Sequence, residues 1–248
     1  MSLTAFLFPV KQEASGLIAQ LEGVKKINSE GMLSWRGTLR GHEVVVALLG
    51  IGADSVKRNL PLILQSYTFD FIWVSGFGGG LDLSLKKGEV VWVENFSSEN
   101  LEWSPREKRV KGITVDHVVT SSTQKLALSK GYQAQVVDME SEVAHRIFLE
   151  KGISHATLRG ISDPWSESLP AGALNASFDP EKNRPTPIRL LIYLAIHPED
   201  FLAFFRFVIG LSGVQKNLTK RLIELEMKRR EINPDSVIGI LRKARKQE

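Results

Sequence analysis

The stretch FDFIWVSGFGGG, from Phe69 to Gly80, decides the fold of this chain. Its apolar residues run almost without interruption into a cluster of glycines. This pattern predicts a strand that is covered on both faces and ends in a tight turn. Similar apolar runs recur at Leu3 to Val10, Glu43 to Gly52, Glu89 to Phe96, Val115 to Thr120 and His155 to Ser162.

Helical patterns lie between several of these runs, at Gln12 to Val24, Ala53 to Tyr67 and Glu140 to Gly152. The succession predicts a three-layer α/β fold, in which a mixed, mostly parallel twisted central sheet is flanked by helices and extra helices follow at the C-terminus. With 248 residues and 43% hydrophobic content, we expect a single domain, 1–248, with a core over 1–170 and a helical extension over 185–248.

The composition limits the classes of protein. The chain has no cysteine, which excludes a disulfide framework and favours a cytoplasmic location. The N-terminal MSLTAFLFPV has no basic region before its apolar run, so we expect a first strand and not a signal peptide. The net charge is +4, and Lys216 to Glu248 carries ten basic and five acidic residues. We interpret this tail as a solvated helical face and expect no nucleic-acid partner, because aromatic residues for base stacking are sparse there.

Two glycine turns follow apolar runs, GIGADS from Gly50 to Ser55 and SGFGGG from Ser75 to Gly80. In open α/β sheets, ligands bind beyond the carboxyl ends of the strands, so these turns are candidate site segments. Neither is the dinucleotide fingerprint, since Ser55 and Leu81 stand where its last glycine is required. The glycines indicate a backbone that closely approaches a ligand or another element, or that takes a positive φ.

The segment from Arg184 to Glu226 predicts three helices, with Pro198 in the first turn of the second. Its run from Ile188 to Leu211 is apolar enough to suggest a membrane span, but a proline, two acidic residues and an arginine interrupt it. The pattern favours a buried helix pair over an amphipathic hairpin on a membrane surface.

Acidic residues follow two of the buried runs. Glu140 comes directly after one of them, and a buried glutamate needs hydrogen-bond donors such as the hydroxyl groups of a ligand. Asp163 follows another, where partial burial would raise its pKa and let it donate a proton near neutral pH. Either acid alone is more often a helix cap or part of an ion pair. The five histidines lack metal-ligand spacing, so we expect no metal, and only His117 is kept as a minor pocket candidate.

Three motifs in this order carry a resemblance to a known family: Gly76 to Val93, Val136 to His145 and Leu158 to Pro170. GFGGGLDLSLKKGEVVWV, VVDMESEVAH and LRGISDPWSESLP resemble the purine nucleoside phosphorylase and nucleosidase superfamily, which includes methylthioadenosine/S-adenosylhomocysteine nucleosidase and futalosine hydrolase. The likeness begins near Thr4, so 1–170 would be the catalytic core. The segment from Phe178 to Leu211 further resembles the hopanoid-associated branch, which is implicated in removing adenine from adenosylhopane.

The resemblance implies an enzyme that cleaves the N-glycosidic bond of an adenosine-type nucleoside and releases the purine. Asp163 would donate a proton to N7 of the purine, and Glu13 would orient the attacking water. Met139 would lie under the sugar, Glu140 would accept hydrogen bonds from the ribose hydroxyls, and Arg159 would support them. The implied set has the catalytic residues Glu13 and Asp163 and the substrate-binding residues Gly76, Phe77, Gly79, Met139, Glu140, Arg159 and Ser162.

Three alternatives for the activity remain. Phosphorylases of the superfamily bring an arginine to phosphate from the strand before the glycine turn, but Phe69 to Gly76 contains none, and Glu13 would repel phosphate. Hydrolysis is therefore the leading hypothesis, with water as co-substrate. Phosphorolysis is the alternative, and a non-catalytic nucleoside or lipid-nucleoside binder is the second alternative. No cofactor is expected.

The partners are predicted less closely. Val118 to Leu126 lacks the aromatic residue that commonly stacks on the base in the nucleosidases, so the base is left open. Relatives assemble as dimers, trimers or hexamers, so we expect a homo-oligomer. The apolar hairpin and the basic tail would act together on an anionic membrane. The protein would then be cytoplasmic and peripheral to the inner face of the membrane.

Overall fold

The computed structural model describes residues 3–29, 32–99, 101, 107–179 and 184–232. Its strands are β1 (Thr4–Phe8), β2 (Glu22–Ser29), β3 (Met32–Leu39), β4 (His42–Leu48), β5 (Phe71–Gly80), β6 (Val90–Val93), β7 (Lys108–Val110), β8 (Gly112–Thr114), β9 (Val136–Asp138), β10 (His155–Asp163), β11 (Phe178–Asp179) and β12 (Arg184–Pro185). Its helices are α1 (Lys11–Ile18), α2 (Ala53–Ser66), α3 (Ser122–Tyr132), α4 (Ser141–Glu150), α5 (Ala171–Ser177), α6 (Pro187–Ile196) and α7 (Pro198–Ile232).

Ten of the described strands form one mixed sheet. Its order is β2-β3-β4-β1-β5-β10-β6-β7, and β9 pairs with β5 and β8. The central strands β4, β1, β5 and β10 run parallel to one another, whereas β2, β3 and β6 are antiparallel to their neighbours nearer the centre. The predicted mixed α/β sheet is confirmed, and its parallel part is the centre, where ligands of such sheets bind.

Helices cover both faces of the sheet. Successive residues of a strand point to opposite faces. Accordingly, Phe6 belongs to one buried cluster with Leu17 of α1 and Leu218 of α7. Its neighbour Leu7 belongs to a second buried cluster, which contains Leu60 of α2 and Phe148 of α4. The three predicted layers are therefore present, and α1 and α7 form one outer layer.

One predicted strand is wrong. The run from Val115 to Thr120 is irregular, and the strand lies just before it as β8, which pairs with β9. The apolar pattern predicts a strand wrongly because Val119 lies in a loop and is nevertheless buried. His117, in the same loop, is exposed, and its Nδ1 is 2.7 Å from Asp116 Oδ1. The structure thus does not bring His117 to the site described below.

The predicted arrangement of the C-terminal helices is also wrong. Two helices, α6 and α7, replace the three expected between Arg184 and Glu226, although Pro198 does begin the second. They are not a buried pair: no residue of α6 is buried. Nine apolar side chains form an exposed patch, the hairpin surface, made of Ile188, Leu191, Ile192, Ile196, Phe201, Leu202, Phe205, Val208 and Ile209.

Only the later part of α7 packs closely on the sheet, because Val214, Leu218, Leu222 and Leu225 recur at helical spacing and are all buried. No helix in the described ranges combines the length and apolar character that crossing a membrane requires. Four of the ten basic residues of the tail lie in 233–248, outside the described residues.

A buried polar cluster fixes α7 to the amino end of the central sheet; we call it the Glu226 cluster. Glu226 accepts hydrogen bonds from Thr4 Oγ1 and Trp73 Nε1, both at 2.8 Å. It is also paired with Arg229 at 2.9 Å and Arg230 at 2.5 Å. Because both of its oxygens have donors and two cations lie beside it, the pKa of Glu226 is lowered even though burial raises it.

Candidate functional site

The candidate site lies at the carboxyl ends of the parallel strands, where the register of β5 and β10 places the key residues. Arg159 of β10 is opposite Gly76 of β5, and Asp163 is opposite Gly79. Between them the register shifts, so Ser162 has no register partner on β5, although its Oγ donates a hydrogen bond to the Gly78 carbonyl at 3.2 Å. Such a bulge re-aims side chains and is common beside active sites. Here it brings both Ser162 and Asp163 to the strand end.

Glu13 enters from the first turn of α1, which begins shortly after β1 ends. Its Oε1 accepts a hydrogen bond from the Phe77 backbone N–H at 2.9 Å. Its Oε2 is buried and has no hydrogen-bond partner among the described residues. Burial raises the pKa of Glu13 to about 7, although the Phe77 N–H and the Arg159 charge act in the opposite direction. The carboxyl can therefore gain or lose a proton near neutral pH.

Gly76 is where Glu13 and Arg159 approach the same strand. A Cβ added to Gly76 would lie 2.5 Å from Arg159 Nη1, 2.9 Å from Pro9 Cδ and 3.1 Å from Glu13 Oε2. A side chain would therefore displace the guanidinium, the proline ring or the carboxylate. Like Glu13 Oε2, Arg159 Nη1 is buried without a hydrogen-bond partner in the described ranges. One unpaired acceptor and one unpaired donor thus flank a single backbone position.

Glu140 is the N-cap residue of α4, just beyond the end of β9. Its Oε1 accepts a hydrogen bond from the Gly52 N–H at 2.8 Å, and Gly52 can present that N–H because it adopts a φ of +80°. Met139 is half-buried beside Gly52, with its Cε 4.0 Å from the position of a Cβ on that glycine. Burial raises the pKa of Glu140, and Arg159 only partly offsets this.

Arg159 is fully buried and joins these acids; we call Glu13, Asp138, Glu140 and Arg159 the arginine cluster. Its Nε donates to Asp138 Oδ2 at 2.9 Å, and its Nη2 donates to Ser141 Oγ at 2.8 Å. The same Nη2 is 3.7 Å from Glu140 Oε2. Burial raises the pKa of Asp138, but Arg159 and the hydrogen bonds from Ser141 and Thr114 outweigh it and lower the pKa overall. Asp138 is therefore the ionised partner of the arginine.

Asp163 forms the other end of the site. Its Oδ1 accepts a hydrogen bond from Ser162 Oγ, and its Oδ2 lies 2.6 Å from Lys125 Nζ. Burial raises the pKa of Asp163, and Lys125 and Ser162 lower it less than burial raises it. A Cβ on Gly79 would lie 3.3 Å from Oδ2. Since a strand rises about 3.3 Å per residue, Gly76 and Gly79 are about 10 Å apart along β5, which separates the Glu13 end of the site from the Asp163 end.

The structure brings all predicted site residues to this edge: Glu13, Gly76, Phe77, Gly79, Met139, Glu140, Arg159, Ser162 and Asp163. Four contacting residues were missed: Gly52, Asp138 as the main ion-pair partner, Ser141 and Lys125. Gly52 lies in the GIGADS turn, which was a usable signal. No sequence signal marked Lys125, because lysines in helices are usually exposed.

Sequence comparison finds similarity to a known family over part of the chain. The model of the Phosphorylase superfamily matches residues 4–110. A 5'-methylthioadenosine/S-adenosylhomocysteine nucleosidase from Tolumonas auensis is 29% identical over 82 residues, which are 33% of this chain and 36% of the relative. The corresponding protein from Colwellia psychrerythraea is 28% identical over 82 residues, which are 33% of this chain and 34% of that relative. The match spans about a third of the length of these curated relatives.

Solved structures share the fold over more of the chain. The 5'-methylthioadenosine/S-adenosylhomocysteine nucleosidase of Helicobacter pylori, solved with butyl-thio-DADMe-Immucillin-A, has a TM-score of 0.63 at 16% identity and covers 91% of this chain and 99% of its own. The futalosine hydrolase of Helicobacter pylori has a TM-score of 0.56 at 17% identity and covers 66% and 88%. The predicted resemblance to the phosphorylase superfamily is supported by sequence over residues 4–110, and the solved structures share the predicted fold over most of the chain. The hopanoid-associated branch stays a prediction.

Proposed function

We propose that this protein is a purine nucleosidase, which hydrolyses the N-glycosidic bond of an adenosine-type nucleoside and releases the base. One observation carries the proposal: Glu13 Oε2 and Arg159 Nη1 are buried, adjacent at Gly76 and without hydrogen-bond partners among the described residues, on the same sheet edge as the buried Asp163. Buried polar atoms without partners are costly in a protein that has no ligand for them. The nucleosidases named above support the choice of reaction.

The unpaired atoms suit a water molecule. Water can donate a hydrogen bond to Glu13 Oε2 and accept one from Arg159 Nη1. As water attacks C1′ of the sugar, Glu13 takes up its proton, which a carboxylate with a pKa of about 7 can do near neutral pH. A new carbon–oxygen bond forms at C1′ while the bond from C1′ to the base nitrogen breaks, and its electron pair leaves with the base.

The other acids serve the sugar and the base. Glu140, held by the Gly52 N–H and close to Arg159, accepts hydrogen bonds from the ribose hydroxyls, and Met139 lies under the ring. Negative charge beside the sugar stabilises the oxocarbenium-like transition state more than the substrate. Asp163 donates its proton to N7 of the purine, so that the base leaves as a neutral molecule. Phe77 and Gly79 line the interval between these ends.

Water suits this site better than phosphate. The guanidinium of Arg159 is already shared among Glu13, Asp138 and Glu140, so an incoming anion meets three acids and one cation. The test is to incubate the full chain with a panel of purine nucleosides and to measure initial rates of base release with and without inorganic phosphate. We expect release from an adenosine-type nucleoside at the same rate in both. Release that requires phosphate would favour phosphorolysis, and tight binding without release would favour a binding protein.

The finer proposal is that the substrate is a lipid-linked adenosine nucleoside, such as adenosylhopane, taken from a membrane surface. Helix α7, which carries part of the hairpin surface, approaches the base end of the site: Lys87 Nζ is 5.4 Å from the centre of the Phe207 ring of α7 and 2.9 Å from Glu167 Oε1, four residues beyond Asp163. Nine exposed apolar side chains on two helices can insert shallowly between lipids. The protein would then be cytoplasmic and peripheral to the membrane.

Vesicle binding tests this finer proposal. The later part of α7 is needed for the core, so the helices cannot simply be deleted. Ile192→Ser combined with Phe205→Ser, both on the hairpin surface, should abolish sedimentation with vesicles of mixed zwitterionic and anionic lipid. Leu83→Ser, at an 80% exposed apolar residue elsewhere, is the control. If the double variant loses self-association instead and vesicles bind neither protein, the surface joins copies of the chain, which is the homo-oligomer that we also propose.

A further inference from the structure

Lys125 is a buried lysine that has no role in the reaction proposed above. It lies on α3 and is fully buried, which is rare for lysine. Its Nζ is 2.6 Å from Asp163 Oδ2 and donates to the backbone carbonyls of Pro164 and Glu167, both at 2.8 Å. Two carbonyls accept hydrogen bonds from the ammonium group and a carboxylate lies in ion-pair contact with it, so these surroundings suit a charged lysine.

This arrangement raises a question about Asp163. If Asp163 is the acid that protonates the purine, a cation 2.6 Å away favours its ionised form and makes the neutral acid harder to keep. Burial acts in the opposite direction, and the outcome is a pKa above the ordinary value of an aspartate. When the proton leaves Asp163, the ammonium group of Lys125 is the counter-charge for the buried carboxylate that remains.

We propose that Lys125 is a positioning residue for Asp163: it fixes the carboxyl at the base end of the site and stabilises the carboxylate that forms as the proton passes to the purine. The ion pair is then stronger in the transition state than with the neutral acid, which is the condition for lowering the barrier. The step is balanced: Asp163 loses one proton, the purine gains it, and Lys125 keeps its own. This inference rests on the proposed function.

In the described part of the chain, Lys125 and Glu167 are the charged groups with the largest effect on the pKa of Asp163. Glu167, in the loop that follows β10, is the other acid that raises its pKa, and it is itself bound by Lys87 at 2.9 Å. Ser162 contributes a hydroxyl. Lys87 is therefore the matched control for Lys125. It binds the side chain of Glu167, whose backbone carbonyl Lys125 binds, and it makes no ion pair with Asp163.

The first test is the pH dependence of kcat/KM for base release by Lys125→Met. Without the ammonium, Asp163 becomes a weaker acid that stays protonated to higher pH. An opposite charge at this distance lowers the pKa of an aspartate by about 1 to 3 units, so the alkaline limb should move up by about that amount. The plateau should fall by about 100-fold, as when one stabilising donor is removed from an active site. Lys87→Met should leave the limb in place.

The second test uses a 4-nitrophenyl riboside, whose leaving group needs no proton. Lys125→Met should cleave it as fast as the wild-type chain does, which also shows that the variant is folded. If Lys125→Met does not fold, Lys125→Arg keeps the charge and should keep the alkaline limb within about one unit of wild type. A folded Lys125→Met with an unmoved limb, or a displaced limb in Lys125→Arg, would overturn the role of Lys125. A wild-type chain that releases no purine would instead overturn the proposed function.

Discussion

Two buried clusters of acids and arginines occupy opposite ends of the central sheet. In the Glu226 cluster, one carboxylate is shared by Arg229 and Arg230, and both of its oxygens have donors. In the arginine cluster, one guanidinium is shared by three carboxylates, and Glu13 Oε2 and Arg159 Nη1 have no partner in the described part of the chain. The same two types of side chain, carboxylates and arginines, thus accompany a lowered pKa at Glu226 and a pKa raised to about 7 at Glu13.

The difference shows how buried charge can be assigned to stability or to function. In the Glu226 cluster, cations outnumber acids and both carboxylate oxygens accept hydrogen bonds, so this cluster stabilises the packing of α7 on the sheet. Excess acids and unpaired atoms make the arginine cluster costly to fold, which is expected where a ligand completes the network. Substitutions in the first should change stability, and substitutions in the second should change turnover.

The largest expected effect is on turnover. Asp163→Asn should lower kcat for base release by about 10²–10⁴-fold, since it removes the general acid, while nucleoside binding stays close to wild type. Initial rates and equilibrium binding of the same nucleoside check both parts. Asp54→Asn, at an exposed aspartate, is the control. An Asp163→Asn variant with full base release would remove Asp163 from the mechanism.

At the opposite end of the sheet, Glu226→Gln should lower the free energy of unfolding by about 3–5 kcal/mol, because it removes the buried negative charge that pairs with Arg229 and Arg230. Urea unfolding measures this loss. Glu224→Gln, a partly exposed acid on the same helix, should change stability little. The turnover of folded Glu226→Gln should match wild type, and a loss of turnover without a loss of stability would break the comparison.

Glu13→Gln should alter how stability depends on pH. The pKa of Glu13 is about 7 in the folded protein, above its ordinary value of 4.5, so the folded state holds its proton more tightly. The stability from this group is therefore complete below pH 4.5 and is lost as the pH rises through 7. Unfolding of wild type and Glu13→Gln at pH 5 and pH 8 should show a smaller decline in the variant.

The titration of His155 does not affect the difference in pH dependence between wild type and Glu13→Gln. Burial lowers the pKa of His155 to about 4, so its contribution is present above pH 6.5 and lost as the pH falls towards 4. This slope has the opposite sign and is common to wild type and Glu13→Gln, so it cancels in their difference. Equal pH dependence of the two proteins would mean that Glu13 does not titrate as its burial indicates.

The smallest expected effect concerns the support of the arginine cluster. Thr114 Oγ1 donates to Asp138 Oδ1 at 2.7 Å and accepts from the Glu142 N–H at 3.0 Å. Thr114→Val removes both hydrogen bonds and should cost about 1.5–3 kcal/mol of stability, the usual contribution of a bond to a charged group. Thr114→Ser keeps the hydroxyl and should behave like wild type. If Val and Ser have equal effects, the hydroxyl does not support Asp138.

The sequence predicted the parts of the site but not how they are connected. Continuous apolar runs identified β5 and β10, and their parallel pairing explains why Gly76 and Arg159 meet. The bulge at Ser162 and the partner of Asp163 depend on tertiary contacts that no local pattern records. The burial of α6 was predicted wrongly because a helix that is apolar all round gives no sign of which side, if any, is covered.

The most direct test of the central claim is a crystal structure of the full chain with a hydrolysis-resistant adenosine analogue. We predict the ribose hydroxyls on Glu140, an ordered water between Glu13 Oε2 and Arg159 Nη1, and N7 of the base within hydrogen-bond distance of Asp163. An analogue bound elsewhere, or bound with its base away from Asp163, would contradict the account.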